Sequence, residues 1–213
     1  MALIHRIFRS SFDELARLVT EVPASDPARA GAVADHLGFT LDGLMAHHTT
    51  EDDLVWPLLL ERARPSAALV EEMEEQHHGL HAGIEEVRRL TDAWRADPSA
   101  DVASELSTAI TAMLEQLTTH LDQEERDVVP LIAEHLSVAE WDHVGKTAFD
   151  KFTPAQRFTA MGQMLEVASP AEAAAMLAPL PPPVKLLWRL VGRRRHRQYA
   201  EAFRGTPAAP ARS

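Results

Sequence analysis

One pattern occurs twice in this chain, and it dictates what the chain can become. HHTTEDDLVWP at residues 47–57 aligns with HLDQEERDVVP at residues 120–130, an offset of 73, and His, Glu, Val and Pro coincide. The repeat pairs His47 with His120, Glu51 with Glu124 and Pro57 with Pro130. Both copies lie in segments whose apolar residues recur at steps of three and four, the period of a helix face. From Leu44 the steps reach His47, Glu51, Leu54 and Leu58; from Leu117 they reach His120, Glu124, Val128 and Leu131. Each copy therefore sets a His and a Glu on the stripe that must be buried. An ionised carboxylate in an apolar interior is costly unless it is paired or bound to metal. Residues four apart stand one above the other on a helix, so each His-x-x-x-Glu aims two side chains at one point.

The same period runs through most of the chain, and no strand-length alternation interrupts it. It predicts long helices over about 4–22, 27–62, 65–95 and 102–135, with Phe8, Phe12, Leu15 and Val19 on the first face. Val33, Leu37 and Leu41 serve the second, Met73, Leu80, Ile84, Val87 and Trp94 the third, and Leu106, Ile110 and Met113 the fourth. Short links make an all-α, up-down-up-down four-helix bundle over residues 1–136 the simplest architecture. Additional helices follow over 137–204, with Ser137, Thr153-Pro154 and Ser169-Pro170 as start signals.

Further donors lie on the same faces. His5 precedes Phe8 by three residues, and His77 and His81 flank Leu80. The repeat favours His47 over His48 and Glu51 over Asp52 as the inward members. The candidate metal ligands are then His5, His47, Glu51, His77, His81, His120 and Glu124. Seven donors exceed one tetrahedral zinc. They suit two octahedral irons with bridging carboxylates and a bridging oxygen, leaving one open position. Asp52 and Glu125 read as solvated or as supports for ligands. His36, His135, His143 and His196 read as surface residues, Met45, Met73 and Met113 as core fillers, and Trp56 as packing.

Absent residues exclude other chemistry. Without cysteine there is no disulfide, thiolate metal site or cysteine nucleophile. No catalytic Ser-His-Asp arrangement or Gly-rich phosphate loop stands out, and a net charge of −11 argues against nucleic acid. No apolar run has the length of a membrane span or signal peptide, so a cytoplasmic location is expected. The charge is unevenly spread: residues 1–183 carry 13 basic and 31 acidic groups, residues 184–204 seven basic and one acidic. The basic segment presents Leu186, Leu187, Leu190 and Val191 on one face. Docking on the acidic body is the favoured fate for it; contact with an anionic membrane is the alternative. Residues 205–213 are expected to form a disordered tail.

An early His, HTTEDDLVWP, QHHGLH and HLDQEERDVVP, in that order, resemble the hemerythrin family in its His-His-Glu cation-binding form. The C-terminal segment is similar to the extension of actinobacterial-type members. The resemblance implies a four-helix bundle around two non-haem, oxo- or hydroxo-bridged irons, with other divalent metals as alternatives. It implies binding of, or reaction with, O2, peroxide or NO, in sensing, detoxification or a redox role. The oxygen carriers have a longer His-to-carboxylate spacing on the last helix than His120 to Glu124, which turns the expectation away from reversible carriage. Metal storage without turnover, and a structural module recruiting a partner through the basic helix, are the other roles weighed.

Overall fold

A computed structural model describes residues 1–205. The expectation of a disordered tail falls, apart from Gly205, outside the described residues. Helix α1 (Ala2–Glu21) is followed by α2 (Pro27–Thr50), which Asp26 caps by accepting the Arg29 N–H at 3.0 Å, with Pro27 at the first helical position. A wide turn, Glu51–Val55, leads directly into α3 (Trp56–Arg62). Helix α4 (Ala67–Ala96) returns, and α5 (Ala100–Gln123) runs through a second wide turn, Glu124–Val128, into α6 (Val129–His135). In space α1 neighbours α2, α2 neighbours α4, α4 neighbours α5, and α5 closes the ring on α1. The described residues contain helices and no strand.

The wide turns have a cause in the sequence. Proline has no N–H to give the carbonyl four residues back, and its ring crowds that carbonyl. Pro57 and Pro130 stand just beyond the turns, and there Trp56 N–H bonds Glu51 O and Val129 N–H bonds Glu124 O, one residue further back than in an α-helix. Each turn thus takes up one extra residue. The buried stripe moves with it: Val55 and Leu59 are buried where Leu54 and Leu58 are expected, and Ile132 replaces Leu131.

The interior falls into two apolar clusters. The larger unites Phe12, Leu15, Leu37, Leu41, Ile84, Val87, Leu106 and Ile110; the smaller gathers Val55, Trp56, Leu59, Met73, Val128 and Ile132 beyond the wide turns. Between the two lies a layer of buried histidines and glutamates.

The remaining helices wrap the bundle. α7 (Val138–Asp150), α8 (Pro154–Val167) and α9 (Pro170–Leu177) open on Ser137/Glu140, Thr153/Gln156 and Ser169/Glu172 capping boxes. α7 packs on α2, and α8 on α1. The basic segment forms α10 (Pro182–Leu187), a wide turn at Trp188–Gly192 and α11 (Arg193–Arg204). α11 docks on α2 and α8: Phe203 joins the larger core, Arg204 pairs with Glu14 and Glu166, and Arg29 donates to the Phe203 and Arg204 carbonyls. This docking buries His36, expected at the surface, whose ring stacks on Phe203 at 4.0 Å and shares a 2.8 Å hydrogen bond with the Tyr199 hydroxyl. His196 is half-buried and holds Glu166 at 3.0 Å. Val184, Leu186, Leu187, Leu190 and Val191 stay exposed.

Candidate metal centre

Each long helix sends imidazole or carboxylate groups into the layer between the clusters. α1 supplies His5, α2 supplies His47 and His48, α4 supplies His77, α5 supplies His120, and the wide turns begin with Glu51 and Glu124. They form two groups: His5, His47, Glu51 and Glu124, and His48, His77 and His120. Within each group one donor atom per residue lies within 4.8 Å of the others. Within the first group His5 Nε2 lies 3.2 Å from His47 Nε2 and 3.2 Å from Glu124 Oε2, and within the second His77 Nε2 lies 3.3 Å from His120 Nε2. The carboxylates span both. Glu51 Oε1 is 3.3 Å from His47 and its Oε2 is 3.7 Å from His77, while Glu124 Oε2 also lies 3.9 Å from His120.

Three imidazoles are pinned from outside. His5 Nδ1 meets Glu125 at 2.8 Å, His77 Nδ1 meets Asp52 at 2.7 Å, and His120 Nδ1 meets Gln76 Oε1 at 2.9 Å. A carboxylate or amide oxygen can only accept, so each Nδ1 carries the proton and each Nε2 turns an open lone pair to the interior. The supports are themselves held: Asp52 accepts from Trp56 Nε1, Glu125 from Arg9, and Gln76 donates to Gln123.

Burial sets the charges. It drives the His47 imidazole down to about 3 and His120 to about 4, and drops His48 well below its ordinary range. These rings are neutral near pH 7, the form that ligates metal. Burial, reinforced by the Glu124 charge, raises Glu51 well above the usual carboxylate range. Burial pushes Glu124 the same way, but the facing imidazoles, led by His5 and His47, outweigh it and hold Glu124 down to about 2. Neither carboxylate completes a hydrogen bond, nor does either nitrogen of His48. Buried groups of this kind are normally satisfied. Neutral imidazoles around two bare carboxylates are a donor set that a divalent cation satisfies, so the residues fit a metal.

Of the seven sequence candidates, the structure brings together six: His5, His47, Glu51, His77, His120 and Glu124. His81 is not among them; it is exposed one turn along α4. His48 stands in the cluster instead, its ring stacked on His77 at 4.1 Å. The reason is the place of α2 in the ring. It faces α1 on one side and α4 on the other, so adjacent residues serve both: His47 meets His5, and His48 meets His77. The repeat hides this, because the counterpart of His48 is Leu121, a core residue. The HH doublet itself was the available signal. Gln76, which orients His120, was also missed.

The family model for the hemerythrin HHE cation binding domain matches residues 1–132. No curated protein and no solved structure matches the chain.

Proposed function

We propose that this chain, which belongs to the hemerythrin HHE cation-binding family, holds two non-haem iron ions and uses them to bind or react with O2, peroxide or NO. The observation that carries this reading is the orientation of His5, His77 and His120, each anchored at Nδ1 with Nε2 turned to two unpartnered buried carboxylates. Two donor groups that share the neighbourhood of Glu51 and Glu124 favour two ions over one. Bound iron supplies the redox chemistry. The chain's part is to keep the imidazoles neutral, fix their tautomers and exclude bulk water with the apolar clusters on either side. The short His120-to-Glu124 spacing turns the reading toward sensing or detoxification and away from reversible oxygen carriage.

Anaerobic loading with Fe(II), followed by iron counting and an absorbance spectrum before and after air, tests it. Close to two irons per chain and a new charge-transfer band on exposure to oxygen are expected. Bound iron with no response to oxygen, peroxide or NO would leave metal storage, and no bound iron would sink the reading.

A second reading concerns the basic segment. Val184, Leu186, Leu187, Leu190 and Val191 are exposed beside Lys185, Arg189, Arg193 and Arg194. An apolar strip rimmed by cations suits an anionic membrane surface. No helix among the described residues is long and apolar enough to cross a membrane. Sedimentation with phosphatidylglycerol vesicles but not phosphatidylcholine vesicles, lost in L190E, is expected; equal behaviour on both would refute it.

A further inference from the structure

The helices beyond the bundle form with it a partly open cavity of about 290 Å3. Phe8 on α1, Phe39 on α2, Trp141 and Phe149 on α7, and Phe152 after it supply aromatic walls, and His47 and Glu51 lie at the end that meets the metal centre. The hydroxyls on the wall are engaged: Thr40 donates to the His36 carbonyl and Thr50 to the Ala46 carbonyl. Small side chains keep the space open. A Cβ added at Gly43 would come to 3.7 Å from Phe8 and Phe152, and one at Gly145 would meet nothing within 4 Å.

The size is wrong for a diatomic ligand alone. A water molecule occupies about 30 Å3 in the liquid, O2 is of similar size, and an apolar cavity of about 150 Å3 encloses benzene. This chamber has roughly twice the benzene volume. Apolar walls without partner atoms forfeit dispersion contacts, which an apolar occupant restores at little desolvation cost.

We propose that the chamber between the bundle and α7–α8 binds an uncharged, two-ring-sized apolar molecule with its inner edge toward His47 and Glu51. Binding depends on the cavity; only the meeting of that edge with a metal rests on the proposed function.

Fluorescence titration of the full chain with prodan, an uncharged naphthalene probe, tests this with iron loaded and after chelation. One saturable, blue-shifted site per chain is expected in both states. Ala148→Trp and the milder Gly145→Phe, which fill the chamber, should each weaken it at least tenfold. Ala93→Trp, on an exposed face, and L190E, on the exposed apolar strip, should leave it unchanged. Unsaturable binding, or binding that survives in whichever chamber variant retains the wild-type circular dichroism, overturns the inference. If iron fails to load but prodan binds as expected, the iron reading falls and the chamber stands. If iron loads and prodan ignores both chamber variants, the reverse holds.

Discussion

His77 Nδ1–H donates a hydrogen bond to Asp52 across 2.7 Å, and the same carboxylate accepts from Trp56 Nε1 at 2.9 Å. One turn of chain next to Glu51 thereby fixes the ring of a residue on a different helix. Outer partners of this kind typically change metal affinity by about 10- to 100-fold. Asp52→Ala should weaken iron binding within that range while leaving the helical circular dichroism intact. A competition titration against a chelator measures it, and an unchanged affinity would show that Asp52 does not position His77.

Glu51 and Glu124 make opposite demands on the empty and the filled site. Without a cation both carboxylates are buried away from water and face each other; burial first, and then the Glu124 charge, holds Glu51 above its ordinary range. Replacing buried charged groups by apolar ones of similar volume is often neutral or stabilising, by about 1–4 kcal/mol. Glu51→Leu should therefore melt above the wild type when both are metal-free, and below it when both are offered metal. Thermal melts with and without chelator decide this; the same sign in both conditions would contradict it.

His48 and His81 separate the geometry from the linear pattern. His48 is buried against His77 and His120, whereas His81 is exposed. His48→Ala should lower metal affinity at least about tenfold, the lower end of what loss of even an indirect support costs, and His81→Ala should leave it alone. The reverse ordering, read by metal titration of both variants, would return His81 to the ligand set.

The sequence revealed most of the fold because burial and helical period are local properties. Phe12, Leu37, Ile84 and Ile110 mark stripes that any four amphipathic helices would share, and all four are fully buried. Two things escaped it. The wide turns absorb a residue, which a strict step from Leu44 to Leu58 passes over. The second is neighbourhood: nothing along α2 says that it stands between α1 and α4, so nothing said that His47 and His48 both point inward. His36 failed for a related reason. It belongs to a buried stripe only because α11, far away in sequence, covers it.

That covering makes the fold sensitive to acid. Burial, helped by the nearby Arg204 charge, pushes His36 down to about 3 from an ordinary value of 6.5. The folded form therefore binds fewer protons than the unfolded form between these two values. The contribution is full above pH 6.5 and is lost progressively as pH falls toward 3. His47 and His120 act in the same direction, so the isolating measurement is a difference. In metal-free protein, His36→Gln keeps a polar partner for Tyr199 but cannot charge, and its stability should fall less than that of the wild type between pH 7 and pH 4. Urea unfolding at both values tests this, and parallel losses would remove His36 as a source.

Gly162 sets two local rules against each other. It lies within α8, where alanine in place of glycine favours a helix by about 1 kcal/mol. Yet a Cβ there would stand 2.2 Å from Nδ1 and 2.4 Å from Cγ of His196, on the docked α11. Cγ is the ring atom nearest the backbone, so the ring cannot escape by a small swing; either χ1 changes and the bond to Glu166 breaks, or α11 lifts. Overpacking of this kind costs typically about 1–3 kcal/mol, which exceeds the propensity gain. Gly162→Ala should therefore destabilise the protein in urea or thermal unfolding. In a His196→Ala background the obstacle is gone and the propensity gain remains, so the same substitution should stabilise. The sign reversal is the diagnostic outcome, and a destabilisation of equal size in both backgrounds would mean that the close approach of α8 and α11 is not what requires glycine at this position.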